Sequence, residues 1–198
     1  SVTVPIDLKM KKNSQEMIPA TLTIPTTASK GTYEGYIHVV NEKDPDDNYQ
    51  IPFGFRLVEE GFEYFKVHSP SISTTRDYAP YSVKASDLDF KLNSPMKTLD
   101  FILVDSKTNK DLGIIGTINV SSAGVDKDLY IQKAFTGRYF PFTGNVKKPV
   151  GYTSILATEG LYKMKVIGTN LDGKQYTKID QVYIDNNRPT FTLDDTNA

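Results

Sequence analysis

The chain has 198 residues, with Lys and Arg (23) balanced against Asp and Glu (24), a formal net charge of −1 and no cysteine. That balance removes the electrostatic motive for gripping nucleic acid or an anionic membrane, and the missing thiols remove disulfides, thiolate metal sites and a cysteine nucleophile. No apolar run approaches the roughly 20 residues of a membrane helix, while 38% hydrophobic and 11% aromatic residues suffice for packed cores. Ser1 is not an initiator methionine, and the chain is expected to be a piece of a longer one.

Taken in chain order, the hydrophobic pattern has period two, the spacing of strands. Ala20, Leu22 and Ile24 alternate with Thr21 and Thr23. Tyr33, Ile37 and Val39 alternate with Glu34, Tyr36 and His38, and Tyr49, Ile51, Phe53, Phe55 and Leu57 alternate with polar or small residues. These last two runs predict an antiparallel hairpin around an acidic loop rich in Asp, Asn and Pro. Pro52 marks its strand as an edge or a bulge. Gly31 can supply a positive-φ turn into the strand, and Gly35 leaves room for a neighbouring side chain.

Beyond the segment Val58–Pro70, which closes one pattern and opens another, the alternation resumes. Leu88, Phe90 and Leu92 form one strand pattern, Leu99, Phe101 and Leu103 a second, and Tyr162, Met164 and Val166 a third. The Asp172–Gly173 pair signals a turn, after which a strand from Tyr176 to Ile184 returns. A short helical turn is expected near Ser122–Lys127, and no long helical period is present. Short strands punctuated by turns predict an all-β chain of tandem antiparallel β-sandwiches. The expected domains are residues 1–63, small for a sandwich and read as truncated at its N-terminus, and residues 64–198.

The run IPATLTIPTTASKGTYEGYIHVVNE, followed by YQIPFGFRL, resembles the fibronectin-III-like domain that follows the catalytic domain of subtilisin-like cell-envelope and minor extracellular serine peptidases, the lactocepin type. The matching positions are Thr23, Ile24, Pro25, Gly31, Tyr33, Gly35, Tyr36, Ile37, Ile51, Pro52, Phe53 and Gly54, within about the first third of the chain. The remainder is more loosely similar to bacterial immunoglobulin-like modules, through EGLYKMKVIGTNLDGK and VYIDNNRP. The resemblance implies a non-catalytic accessory region of a secreted or cell-wall peptidase, acting as spacer or stabiliser. Its partners would be the catalytic domain of the same polypeptide and a protein or peptide substrate. The competing expectation is a binding or adhesive module array on a bacterial surface protein that is not a peptidase.

Candidate chemistry is sparse. A subtilisin-like triad needs Asp, His and Ser in characteristic surroundings. His38 lies on the polar face of a strand, His68 precedes a Ser-Pro-Ser connector, and Ser154 in GYTSILA lacks the flanks of a nucleophile motif. No catalytic residue and no cofactor is therefore expected within this chain. Two oxygen clusters are candidate calcium ligands. Asp44, Asp46 and Asn48 fit the start of a D-x-D-x-N loop, although Tyr49 and Phe55 stand where an EF-hand needs Gly and Glu. Asp185, Asn186 and Asn187 are similar to an interdomain calcium linker, although Arg188 places a cation beside them. Their alternative readings are a solvated hairpin loop and an ordinary linker stiffened by Pro189. Tyr78, Tyr81, Tyr139, Phe140 and Phe142 are candidates for an exposed aromatic platform, with burial in a sandwich core as the alternative.

Overall fold

The computed structural model describes residues 1–5, 7–11, 14–75 and 82–187. Every regular element among them is a strand, which is the expected all-β class. The chain divides into two compact units, residues 1–58 and 59–198.

In the first unit, β1 (Val2–Thr3) pairs antiparallel with β2 (Thr21–Leu22), and β3 (Gly31–Asn41) pairs antiparallel with β4 (Asp44–Leu57). The strand expected from Ala20 to Ile24 is thus reduced to two residues, both exposed. The β3–β4 ribbon has the predicted register, with Gly35 opposite Phe53 and Ile37 opposite Ile51. Odd-numbered side chains share one face, as strand periodicity requires. Tyr33 and Phe55 stack there with ring centroids 5.1 Å apart. Gly35 serves as the sequence suggested: a Cβ at that position would come within 2.5 Å of the Phe53 ring. The face is only half-buried, however, and Ile51 is 45% exposed. None of the described residues of this unit is fully buried.

The acidic loop is mostly strand. The ribbon turns at Glu42 and Lys43, and a register shift after Val40 accommodates Pro45, Asp46 and Asp47 within β4. The cause is side-chain hydrogen bonding. Asn41 Oδ1 accepts from the Lys43 amide at 3.0 Å, and Asn41 Nδ2 donates to Asp47 at 3.1 Å, closing the turn early.

The second unit begins with β5 (Phe62–His68), so the expected division after residue 63 falls inside a strand. Phe62 is 5% exposed and belongs to the core of this unit, which draws the boundary back to residue 58. There follow β6 (Ser71–Ile72), β7 (Ser86–Leu92), β8 (Thr98–Asp105), β9 (Asp111–Asn119), β10 (Asp128–Phe135), β11 (Arg138–Pro141), β12 (Ile155–Leu156), β13 (Gly160–Thr169) and β14 (Gln175–Ile184). One sheet has the order β10-β7-β5, and the other β12-β11-β9-β8-β13-β14-β6. All pairings are antiparallel except β6 with β14. The smaller sheet gathers the first, second and fifth long strands of this unit, and β8, β9, β13 and β14 lie in the larger one.

The two inner faces meet in one core. Leu88, Phe90 and Leu92 of β7 oppose Leu99, Phe101 and Leu103 of β8 and Met164 and Val166 of β13, all nearly inaccessible. Phe101 lies 6.2 Å from Phe90 and 6.3 Å from Phe65, tying the sheets together by tilted aromatic contacts. The chain crosses between sheets at Ser69, which has φ 53°, and Pro70. Ser86, itself fully buried, donates its hydroxyl to Ser69 O at 2.8 Å and fixes that crossing. The β13–β14 hairpin closes at Gly173, whose φ of 84° suits glycine. The helical turn expected at Ser122–Lys127 is instead a pair of turns, with Asp126 at φ 59°.

Candidate functional site

The most organised polar surface lies on the outer face of the β10-β7-β5 sheet. Core residues occupy one face of these strands, so the alternating positions Tyr64, Lys66 and His68 on β5 point the other way. They lie beside Asp87, Asp89 and Lys91 on β7 and Asp128 and Tyr130 on β10. Tyr64 Oη lies 2.8 Å from Asp89 Oδ1 and 2.8 Å from Asp128 Oδ1, linking all three strands. His68 Nε2 lies 3.2 Å from Asp89 Oδ2, and its ring is 5.8 Å from that of Tyr130. Tyr130 donates its hydroxyl to Asp87, which also accepts the Lys133 amide at 2.6 Å. That amide is aimed by the bulge in β10 and by a φ of 51° at Lys133.

The electrostatics follow from these bonds. The Tyr130 hydroxyl, and then the Lys133 amide, hold the Asp87 carboxyl below the usual carboxylate range. Desolvation, and then the two carboxylates it touches, push the Tyr64 phenol well above its ordinary value. The Asp87 bond likewise raises Tyr130. Lys91 pairs with Glu63 at 3.0 Å, so the face carries both signs of charge. Chemically it is a flat, internally bonded platform with an exposed Tyr130 and an open His68 edge. Sequence reasoning singled out His68 alone here. The signal for the rest was the Asp-x-Asp alternation of β7, which reads as a solvated strand face until the partner strands are known.

A second feature is a cleft of about 380 Å³ at the start of the sandwich, lined by Glu59, Glu60, Glu63, Phe62, Asn93 and Tyr176 among others. Glu60 accepts from Lys174 Nζ at 2.5 Å and from the Tyr176 hydroxyl, and Lys174 lies 5.1 Å from the Tyr176 ring centroid.

The predicted site residues are dispersed. Asp44, Asp46 and Asn48 are exposed strand residues, and Asn48 Nδ2 donates to the carbonyls of Pro45 at 3.2 Å and Asp46 at 3.3 Å. Asn186 Oδ1 accepts from the Thr74 amide at 2.9 Å and from the hydroxyls of Ser73 and Thr74, each at 3.2 Å. Asp185 Oδ1 accepts from the Asn187 amide at 2.9 Å, and Asn187 Nδ2 donates to Glu159 at 2.6 Å. Among the described residues, no group of three or more His, Asp or Glu side chains converges on a common point in metal-binding fashion. Arg188 and Pro189 lie outside the described residues, as do Tyr78 and Tyr81. His38 is exposed opposite Gln50 on the ribbon. Ser154 is half-buried just before β12. Tyr139 packs against the core, whereas Phe140 and Phe142 are 38% and 37% exposed, so the aromatic run is split between the two readings.

Comparison with protein-family models, with curated proteins and with solved structures matched none of them to this chain.

Proposed function

We propose that the chain is a non-catalytic accessory region of a secreted or cell-wall-attached subtilisin-like serine peptidase. It acts as a spacer and stabiliser beside the catalytic domain of the same polypeptide and offers surface for contact with a protein substrate. The observation that supports this most is the ribbon. The residues that carry the resemblance, Gly31, Tyr33, Gly35, Ile51 and Phe53, share one hairpin, with the Phe53 ring seated over Gly35. Their roles are in packing, which suits a supporting module.

A second reading, a binding or adhesive module on a surface protein, draws on the platform of Tyr64, Asp89, Asp128, His68 and Tyr130. Two experiments separate the readings. The reading frame upstream of Ser1 should encode a Gly-Thr-Ser-Met-Ala nucleophile motif, and a frame without it removes the peptidase reading. The chain itself should resist a fluorophosphonate serine probe, and labelling that disappears in Ser154→Ala removes the non-catalytic one.

A further inference from the structure

The two long edges of the β3–β4 ribbon differ in what they offer. Among the described residues no other strand pairs with either edge. On β4, Pro52 stands opposite Tyr36. A proline nitrogen has no hydrogen to donate, so a proline fits a ladder where its nitrogen faces away from the partner strand. Backbone groups of successive residues face opposite sides of a strand. The even-numbered residues of β4 therefore face its free edge, with Pro52 interrupting them midway. The same alternation turns the N–H and C=O groups of Thr32, Glu34, Tyr36, His38 and Val40 toward the free edge of β3, which contains no proline. One edge is closed to a further strand and the other is open.

We propose that the open edge of β3 receives the same edge of a second copy of this chain, antiparallel about a two-fold axis at Tyr36. The two ribbons then form one four-stranded sheet. This register sets Tyr36 against the second copy's Tyr36, Glu34 against its His38 and Thr32 against its Val40. On the other face Gly35 meets Ile37, and Tyr33 meets Val39, so apolar residues stay with apolar ones. The choice of a second copy rests on hydrogen-bonding complementarity along the edge. With the axis on any residue from Glu34 to His38, only the Tyr36 position sets each carboxylate against an imidazole N–H, and does so twice. An axis at Glu34 apposes two carboxylates, and an axis at His38 sets Glu34 against Glu42. Exposure points the same way: Tyr36 is 60% and Val40 55% exposed along this edge. A two-stranded ribbon with no fully buried residue also lacks the strands that a stable sheet needs, and four strands supply them.

Sedimentation equilibrium of the 198-residue chain tests the pairing. A monomer–dimer equilibrium is expected. His38→Glu places carboxylates opposite one another at two points and should raise the dimer dissociation constant by about tenfold. Adding Glu34→Lys to His38→Glu sets a lysine against each glutamate in this register alone, and should return the constant to within about threefold of the unsubstituted value. Tyr36→Lys, which sets two ammonium groups together on the axis, should dissociate the dimer without changing the far-ultraviolet circular dichroism, and serves if His38→Glu does not fold. A chain that stays monomeric to about 100 μM, or a double variant no tighter than His38→Glu, overturns the proposal.

Discussion

Removing the Phe53 ring tests whether the ribbon is held by its half-buried face. Truncating a fully buried phenylalanine to alanine costs about 3–5 kcal/mol. Phe53 is only partly buried, so a figure near half of that range follows, about 2 kcal/mol. The loss comes from the ring's contact across Gly35, where the absent Cβ leaves the cross-strand space that the ring fills. Hydrogen exchange reads this locally. A 2 kcal/mol loss should speed exchange of the amides facing the partner strand, Ile37 and Ile51 among them, by about 30-fold, while β7 and β13 keep their protection. Asp46→Ser, at an exposed position, should leave the same amides unchanged. Asp47→Ser should loosen only the turn, through loss of the Asn41 bond. Unchanged exchange in Phe53→Ala, or collapse of ribbon protection in Asp46→Ser, would show that the ribbon depends on its acidic end rather than on its apolar face.

In the sandwich, Phe90→Ala should cost about 3–5 kcal/mol in a denaturant melt, because its ring is 1% exposed and bridges to Phe101. Asn186→Ala should cost about 1–3 kcal/mol in the same assay, since it orphans the Thr74 amide. A calcium-dependent rise in melting temperature that this variant abolishes would instead make Asn186 a ligand. Stability should fall at both ends of the pH scale. Asp87 is held below its ordinary value, chiefly by Tyr130, so its contribution is present above pH 4 or so and lost as pH drops through the folded value. Tyr64 and Tyr130 are raised, by desolvation first in Tyr64 and by the Asp87 bond first in Tyr130. Their contribution is complete below about pH 10 and lost as pH climbs above it. Melts between pH 2 and pH 11 check both limbs, and a Tyr130→Phe variant should flatten the acid one.

The elements visible in the sequence were those whose apolar residues alternate without interruption. β7, β8 and β13 show this, and each buries the predicted side chains. β9 escaped notice because Gly113 and Gly116 break its alternation and two register shifts against β8 move its faces. β10 escaped because its bulge inserts residues between Ile131 and Phe135. The acidic segment was misread as a loop because Asp, Asn and Pro are turn formers, yet Asn41 closes the turn before they begin. The Tyr64 platform was illegible for a different reason. Its hydrogen bonds join residues 25 and 64 positions apart, and only the strand order brings them together.

The parallel pairing of β6 with β14 has a mechanical consequence. Tyr183 N donates to Pro70 O at 2.6 Å and Asp185 N to Ile72 O at 2.9 Å, and Asn186 adds its bond to the Thr74 amide. These bonds join β6, the strand that follows β5 across the crossing at Ser69 and Pro70, to the last strand of the sandwich, side by side and running in the same direction. Tension on the chain entering at residue 59 and leaving after residue 187 passes first through β5, held by β7, and on reaching β6 pulls it backward while pulling β14 forward, along their lengths. The bonds are then loaded in shear and carry the force together, whereas an antiparallel terminal pair would unzip one bond at a time. A module stretched between neighbours would extend only when this clasp gives way as a whole, and Asn186 is the side chain that lengthens it.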